Sequence, residues 1–315
     1  MSILKLKPSC KDNLWGGSRL KEEYGKECEG DVLAETWELS CHPDGHSTIA
    51  NGEFAGKTLK QYIDEMGKEV LGSNCRKFKD FPILVKFIDA KENISIQVHP
   101  DNHYALKNEG QSGKTEVWYV MDAGEDAFLY YGFNREITEG EFIKRIREDS
   151  LVPVLNAVRV RKGDVLFIEP GTIHAIGKDV IVAEIQQNSN VTYRVYDYGR
   201  VGKDGKKREL HIEKAIAVTN FQPSVKDNRS YPHVAKCGYF IVDKLNLDGA
   251  IMKKMEGCVS GETFVNILVL DGEGVISDSS QTVEYKKGDS FFLPAGIGTY
   301  TVAGRCDALV ITIPE

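Results

Sequence analysis

A repeat limits how this chain folds more than any other feature. Arg161-Lys162-Gly163-Asp164-Val165-Leu166-Phe167-Ile168-Glu169-Pro170-Gly171 is echoed by Lys286-Lys287-Gly288-Asp289-Ser290-Phe291-Phe292-Leu293-Pro294-Ala295-Gly296. In each copy a basic pair and a Gly-Asp turn lead into an apolar strand that stops at a Pro/Gly corner. Each copy also has an apolar partner strand upstream, Val117–Val120 for the first and Val265–Val269 for the second. Two such units imply a mainly β fold of two antiparallel sandwiches or barrels of jelly-roll type. A length of 315 residues is enough for two cores. The copies differ where they close: the first runs on to Thr172-Ile173-His174, the second to Ile297-Gly298-Thr299-Tyr300. Only the first can hold a metal.

Helical character is confined to short segments. Leu59, Tyr62, Ile63 and Met66 recur at helical spacing behind Thr58, a plausible N-cap. Thr138, with Glu141 three residues on, heads an amphipathic helix to about Asp149, and helical character returns at Ile212–Val218. Asn102 to Asn108 reads as a short helical or loop segment, and most of the remainder reads as strands, including one segment from Val180 to Asp197. The glycines of Trp15-Gly16-Gly17 imply a turn or a close backbone approach.

A net charge of −7 disfavours nucleic acid as a partner, because a phosphate backbone rewards clustered cations. The basic run Lys203-Asp204-Gly205-Lys206-Lys207-Arg208 is short and glycine-punctuated, as expected of a solvated hairpin loop. No apolar run approaches the ~20 residues of a membrane helix. Met1–Pro8 lacks the core and cleavage site of a signal peptide, so no membrane partner is expected. Seven cysteines, odd in number and without C-x-x-C, read as reduced thiols in a cytoplasmic protein.

Three segments carry metal-competent side chains. In Ile94-Ser95-Ile96-Gln97-Val98-His99, strand geometry puts Gln97 and His99 on one face. Lys114–Tyr119 adds Glu116, and Glu169–His174 adds His174. One amide, one carboxylate and two imidazoles suit a borderline-hard divalent ion with an open position, the layout of a catalytic zinc site. His42 and His46 flank Pro43 and Gly45 and read as an exposed turn, and His103 as a surface residue. Lys86 stands inside the apolar run Phe81–Asp89, where it either snorkels to an edge or supplies a fixed charge to a cavity.

Gly163-Asp164 leading to Pro170-Gly171-Thr172-Ile173-His174 is similar to the closing signature of cupin-type β-barrels. The Gln97-Val98-His99 opening departs from the commoner His-x-His pattern. That departure, with Lys114-Thr115-Glu116, Asn190-Val191-Thr192-Tyr193-Arg194-Val195-Tyr196-Asp197, Trp15-Gly16-Gly17 and Glu35-Thr36-Trp37-Glu38, resembles the short bacterial form of type I mannose-6-phosphate isomerases over nearly the whole chain. The resemblance implies two cupin-type jelly-roll barrels with a small helical insertion. Residues 1–220 would form the catalytic domain, with helical insertions at about 57–75 and 138–150, and residues 221–315 a C-terminal domain lacking metal ligands. It also implies one Zn2+ per chain on Gln97, His99, Glu116 and His174. The family's active-site arginine falls on Arg194, its lysine on Lys114, its serine on Ser95, and a later cation on Arg200. The implied partner is a small sugar phosphate, bound by a monomer or weak homodimer.

Moving a proton between C2 and C1 of an aldose phosphate through a cis-enediol(ate) needs a proton carrier and a stabiliser of oxygen charge. Glu184 is the first candidate carrier, then Asp197, then Lys114. Glu184 in its apolar strand also has a plainer reading, as a buried ion-pair partner of Arg194. Arg194 suits a charge clamp, and Ser95, Lys86 and Arg200 suit phosphate recognition. The rival functions are a metal-dependent cupin oxygenase and a non-catalytic sugar-phosphate-binding regulatory module. The first would use His99, Glu116 and His174 on iron.

Overall fold

The computed structural model describes residues 1–202, 205–224 and 232–315. Two antiparallel sheets face each other to form the first barrel. The larger has the order Val165–Ile168, Glu116–Ala123, Val180–Gln187, Ile83–Ala90, Glu35–Leu39, Ser9–Lys11. The smaller has the order Leu155–Arg159, Phe128–Phe133, His174–Ile176, Ile96–Val98, Tyr193–Tyr196.

The central strands Ile83–Ala90 and Val180–Gln187 are buried along their whole length, because the larger sheet is covered on both faces. Alternation sorts their side chains. Ile88, Val120, Val182 and Trp118 pack inside the barrel with Leu129 and Ile176 of the smaller sheet. Val85, Phe87, Val117 and Ala183 point the other way, into a core shared with Phe240, Phe292, Leu309 and Ile311 of the C-terminal sheet.

The repeat folds twice in the same way. Val165–Ile168 pairs with the upstream strand at Val117, and Ser290–Leu293 pairs with the strand at Val265. At each turn the glycine has a positive φ, 92° at Gly163 and 93° at Gly288. Each aspartate accepts from a backbone N–H three residues back: Asp164 from Arg161 at 2.9 Å, Asp289 from Lys286 at 2.8 Å. The glycine N–H groups donate to Val120 and Val269 respectively. The expected glycine packing is also present: a Cβ on Gly16 would meet the Ala34 backbone at 2.5 Å.

Several expectations need correction. Cys10 and Cys28 form a disulfide, with Cα atoms 6.2 Å apart. The loop after Glu22 doubles back against the Ser9–Lys11 strand and brings Cys28 over it, with Lys21 Nζ donating to the Cys28 carbonyl at 2.8 Å. His42 is buried, its ring edge-on to Trp37. The 180–197 segment is two strands in different sheets, Val180–Gln187 and Tyr193–Tyr196. The break is held by Gln186, whose buried amide donates to the Gln187 and Ser189 carbonyls. The first strand, Leu4–Lys7, pairs with Ser290–Leu293 and Thr48–Ile49, so part of the N-terminal region completes the C-terminal sheet. Lys203 and Asp204 of the basic run lie outside the described residues, and Arg208 turns inward rather than to solvent.

Candidate metal centre and active site

The site lies at one end of the first barrel, where the inward-facing positions change from apolar to polar. On the larger sheet, Glu184 stands opposite Lys86 on one side and Trp118 on the other, and Gln186 opposite Glu116. On the smaller sheet, Gln97 is the cross-strand partner of both His174 and Arg194. The His99 and His174 segments are tied together where the Gly171 N–H donates to the His99 carbonyl at 2.9 Å. Gly171 has φ +84°, and a Cβ there would meet the Val218 carbonyl oxygen at 2.8 Å, which accounts for the glycine at this corner.

His99, Glu116 and His174 are each buried, and their ligand atoms lie within 4.8 Å of one another. The two imidazole Nε2 atoms are 3.2 Å apart, and His174 Nε2 is 3.3 Å from Glu116 Oε1. The other ring nitrogens face carbonyls: His99 Nδ1 lies 2.9 Å from Val191 O and His174 Nδ1 2.8 Å from Thr172 O. A carbonyl only accepts, so each Nδ1 carries the hydrogen and each Nε2 turns a lone pair to the centre. This is how metal-bound histidines are oriented. Burial holds His174 down at about 4, and burial with Lys114 nearby holds His99 well below its ordinary value. Both rings are therefore neutral at pH 7.

Neither Glu116 oxygen accepts a well-directed hydrogen bond, although Lys114 Nζ stands 2.8 Å from Oε2. Burial and the neighbouring Glu184 charge push Glu116 up to about 7. A buried carboxylate in this state is costly unless a cation satisfies it. Two oriented imidazoles and an under-satisfied carboxylate fit a divalent ion, with Gln97 beside them on the adjacent strand.

The metal-competent cluster adjoins a cavity of about 430 Å³, within the usual size range of small-molecule sites. Gln97, Lys114, Glu184, Lys86, Ser95 and Arg194 line it. Glu184 Oε1 is 3.1 Å from Lys86 Nζ and 3.6 Å from Lys114 Nζ, and Trp118 Nε1 donates to Oε2 at 2.8 Å. Burial alone would raise the Glu184 pKa, but the two lysines outweigh it and hold this carboxylate at about 2. Its ion-pair partners are thus lysines rather than Arg194. Lys86 is buried and faces the cavity, which settles its orientation.

Asp197 and Arg200 are not among the lining residues. Asp197 is enclosed by Arg200 and Arg208, and Arg208 is the one of that trio that reaches the cavity wall. Sequence reasoning missed Arg208, and also Lys11, Asp44 and Trp37, which line the same cavity. A usable signal existed for Arg208. It stands just before the Ile212–Val218 helix, where a loop is anchored rather than at its tip.

A model of the type I phosphomannose isomerase catalytic domain matches residues 3–124, and one of the mannose-6-phosphate isomerase cupin domain matches residues 231–313. Over the whole length, the chain is 38% identical to a probable mannose-6-phosphate isomerase of Bacillus subtilis, GmuF, with 98% of each chain covered. It is 34% identical to the mannose-6-phosphate isomerase of Streptococcus mutans, covering 94% of this chain and 93% of the relative. The crystal structure of the mannose 6-phosphate isomerase from Bacillus subtilis superposes with a TM-score of 0.89 at 35% identity, covering 99% of each chain. With full-length relatives at this identity and the same fold carrying the His99, Glu116 and His174 cluster, the chain belongs to the type I phosphomannose isomerase family.

Proposed function

We propose that this chain interconverts D-mannose 6-phosphate and D-fructose 6-phosphate. The observation that carries the reading is the buried His99, Glu116 and His174 cluster beside a polar cavity with fixed cations, in a chain of this family. His99, Glu116, His174 and Gln97 would hold one zinc ion, which when bound supplies Lewis acidity toward substrate oxygens. Glu184, ionised between Lys86 and Lys114, takes a proton on Oε1 from one carbon of the sugar and returns it to the neighbouring carbon. The sugar passes through a cis-enediol(ate). Lys114 balances the carboxylate charge and offers its ammonium to the developing oxyanion, and Arg194 clamps the substrate charge. Ser95 and Lys86 add a hydroxyl and a cation for phosphate or sugar oxygens.

Residues 1–220 act as the catalytic unit and residues 221–315 as its structural partner, joined through the shared core described above. Five of the seven cysteines are free thiols, which suits a cytoplasmic setting. The enzyme works as a monomer or weak homodimer. A coupled assay of fructose 6-phosphate formation from mannose 6-phosphate tests the reading. Turnover by the zinc-loaded protein is the expected result, and its absence in folded, zinc-loaded protein contradicts it. The comparisons favour the isomerase over the oxygenase and the non-catalytic module.

A further inference from the structure

We propose that Trp37 is a positioning residue of the isomerase site: its indole aims the Lys86 ammonium at Glu184 rather than at Glu35. This inference rests on the reading above, in which Glu184 carries the proton. It goes further by giving a role to a buried side chain that acts only through its neighbours.

Lys86 stands between two carboxylates. Its Nζ is 3.1 Å from Glu184 Oε1 and 3.4 Å from Glu35 Oε2, and the side chain is buried. Trp37 is the cross-strand partner of Lys86 and lies two residues from Glu35 on the same strand, so the three side chains share one face. The indole acts on both neighbours. Its Nε1–H donates at 3.0 Å to Glu35 Oε2, the oxygen that faces Lys86. Asn13 Nδ2 donates to the other Glu35 oxygen at 2.8 Å. The Trp37 ring centroid lies 5.2 Å from Lys86 Nζ, within cation–π reach. A second ammonium comes from the strand on the other side of Trp37: Lys11 Nζ is 4.6 Å from the centroid and donates to the Asp44 carbonyl.

The donors decide which carboxylate wins. Both Glu35 oxygens are supplied by N–H groups, so that carboxylate has less need of the lysine. Glu184 Oε2 is supplied by Trp118 Nε1 at 2.8 Å, whereas Oε1 has no directed hydrogen bond and faces the ammoniums of Lys86 and Lys114. The competition is thus biased toward Glu184. Without the indole, Glu35 Oε2 loses its donor in a largely dry setting, where an unmet acceptor is costly. Lys86 then swings toward Glu35, and Glu184 loses one of the two cations that hold it. The ring is fixed in place: Trp37 is 2% exposed, and His42 packs edge-on against it with centroids 5.6 Å apart. Trp37 lines the cavity together with Lys11, Lys86 and Glu35.

The test uses zinc-loaded protein and mannose 6-phosphate. Trp37→Phe keeps a ring and loses the donor, and Trp37→Leu loses both. In Trp37→Leu, kcat per folded, zinc-containing molecule should fall about tenfold, the scale of one lost charge-assisted hydrogen bond. Trp37→Phe should fall between Leu and wild type, and KM should stay within about twofold in both. A purely structural role would lower stability and leave this kcat unchanged, so wild-type kcat in folded Trp37→Leu overturns the proposal. A double-mutant cycle with Lys86→Met checks the route: once Lys86 is gone, Trp37→Phe should cost less than about twofold, and an equal loss in both backgrounds overturns it. Proton NMR of lysine-labelled protein gives a readout without turnover. The Lys86 Hε protons, assigned through Lys86→Arg, should be shifted upfield by the indole ring in wild type and return to the ordinary lysine position in Trp37→Leu. That result supports the positioning even if the isomerase reading fails, and ordinary Lys86 shifts in wild type overturn it.

Discussion

His99 and His174 turn their Nε2 atoms toward each other at 3.2 Å, while a backbone carbonyl fixes the opposite nitrogen of each ring. Two neutral imidazoles have no hydrogen bond to share in that arrangement, since both lone pairs converge on one point beside Glu116. The fold is prepared for a cation there. Removing one ring would take away one of the three donors that converge there.

His174→Ala should therefore lose bound metal and turnover together while the barrel stays folded. Metal content by atomic emission and the coupled assay on the same sample check this. An active, metal-free variant would contradict the site.

Arg194→Ala should keep its metal, because Arg194 touches Ser95 and the Glu209 carbonyl but no member of the His99, Glu116 and His174 set. The loss in kcat/KM should be about 10–100-fold, as for one charged hydrogen-bonding group. Unchanged kinetics would remove Arg194 from the mechanism.

Glu184→Gln preserves shape and keeps an oxygen for Trp118 Nε1, yet removes the carboxylate proposed to carry the proton. Turnover should fall by about 10²–10⁴-fold with metal content retained. Wild-type kcat in this variant would reassign the proton carrier.

The metal-free protein should lose stability as pH falls from about 6.5 toward 4. Across that window the unfolded chain binds protons on His99 and His174 that the folded state refuses, because burial depresses both rings. Glu116, raised to about 7, works in the opposite sense, since the folded state holds its proton where the unfolded state does not. Two imidazoles against one carboxylate leave a net loss on acidification, about 1.4 kcal/mol per pH unit from these three groups where each differs fully between the states, and Glu184, held low by the two lysines, adds to the loss at the acid end of the window. Urea unfolding at several pH values measures the slope, and His174→Gln should reduce it.

Phe292→Ala should destabilise the protein by about 3–5 kcal/mol. Phe292 is fully buried between Phe264 and Tyr62, in the core that joins the C-terminal sheet to the barrel. Turnover per folded molecule should remain at the wild-type level. A selective loss of catalysis in stably folded protein would give the C-terminal sheet a direct role.

What the sequence disclosed follows from how far each signal reaches. The repeated Gly-Asp turns were visible because a positive-φ glycine and its aspartate act within four residues. Gln97 and His99 stood out because period-two alternation places side chains on a face without knowledge of the partner strand, and Glu116 and His174 because their segments carry metal-competent side chains within motifs of the family the chain resembles. The partners themselves were hidden. That Glu184 meets Lys86 and Lys114 rather than Arg194 depends on cross-strand register between distant segments. The Cys10–Cys28 bond depends on the path of a loop. Arg208 looked like part of a solvated hairpin because its anchor, Asp197, lies on the other side of that loop. Strand breaks such as the one after Gln187 depend on buried amides serving the backbone, and residue type alone does not announce this.

The central claim is tested most directly by stripping the purified protein of metal and titrating zinc back while following conversion of mannose 6-phosphate to fructose 6-phosphate. The account predicts no turnover without metal and a linear return that saturates at one zinc per chain. Full turnover in the stripped protein, or none in folded protein carrying one zinc per chain, would contradict it.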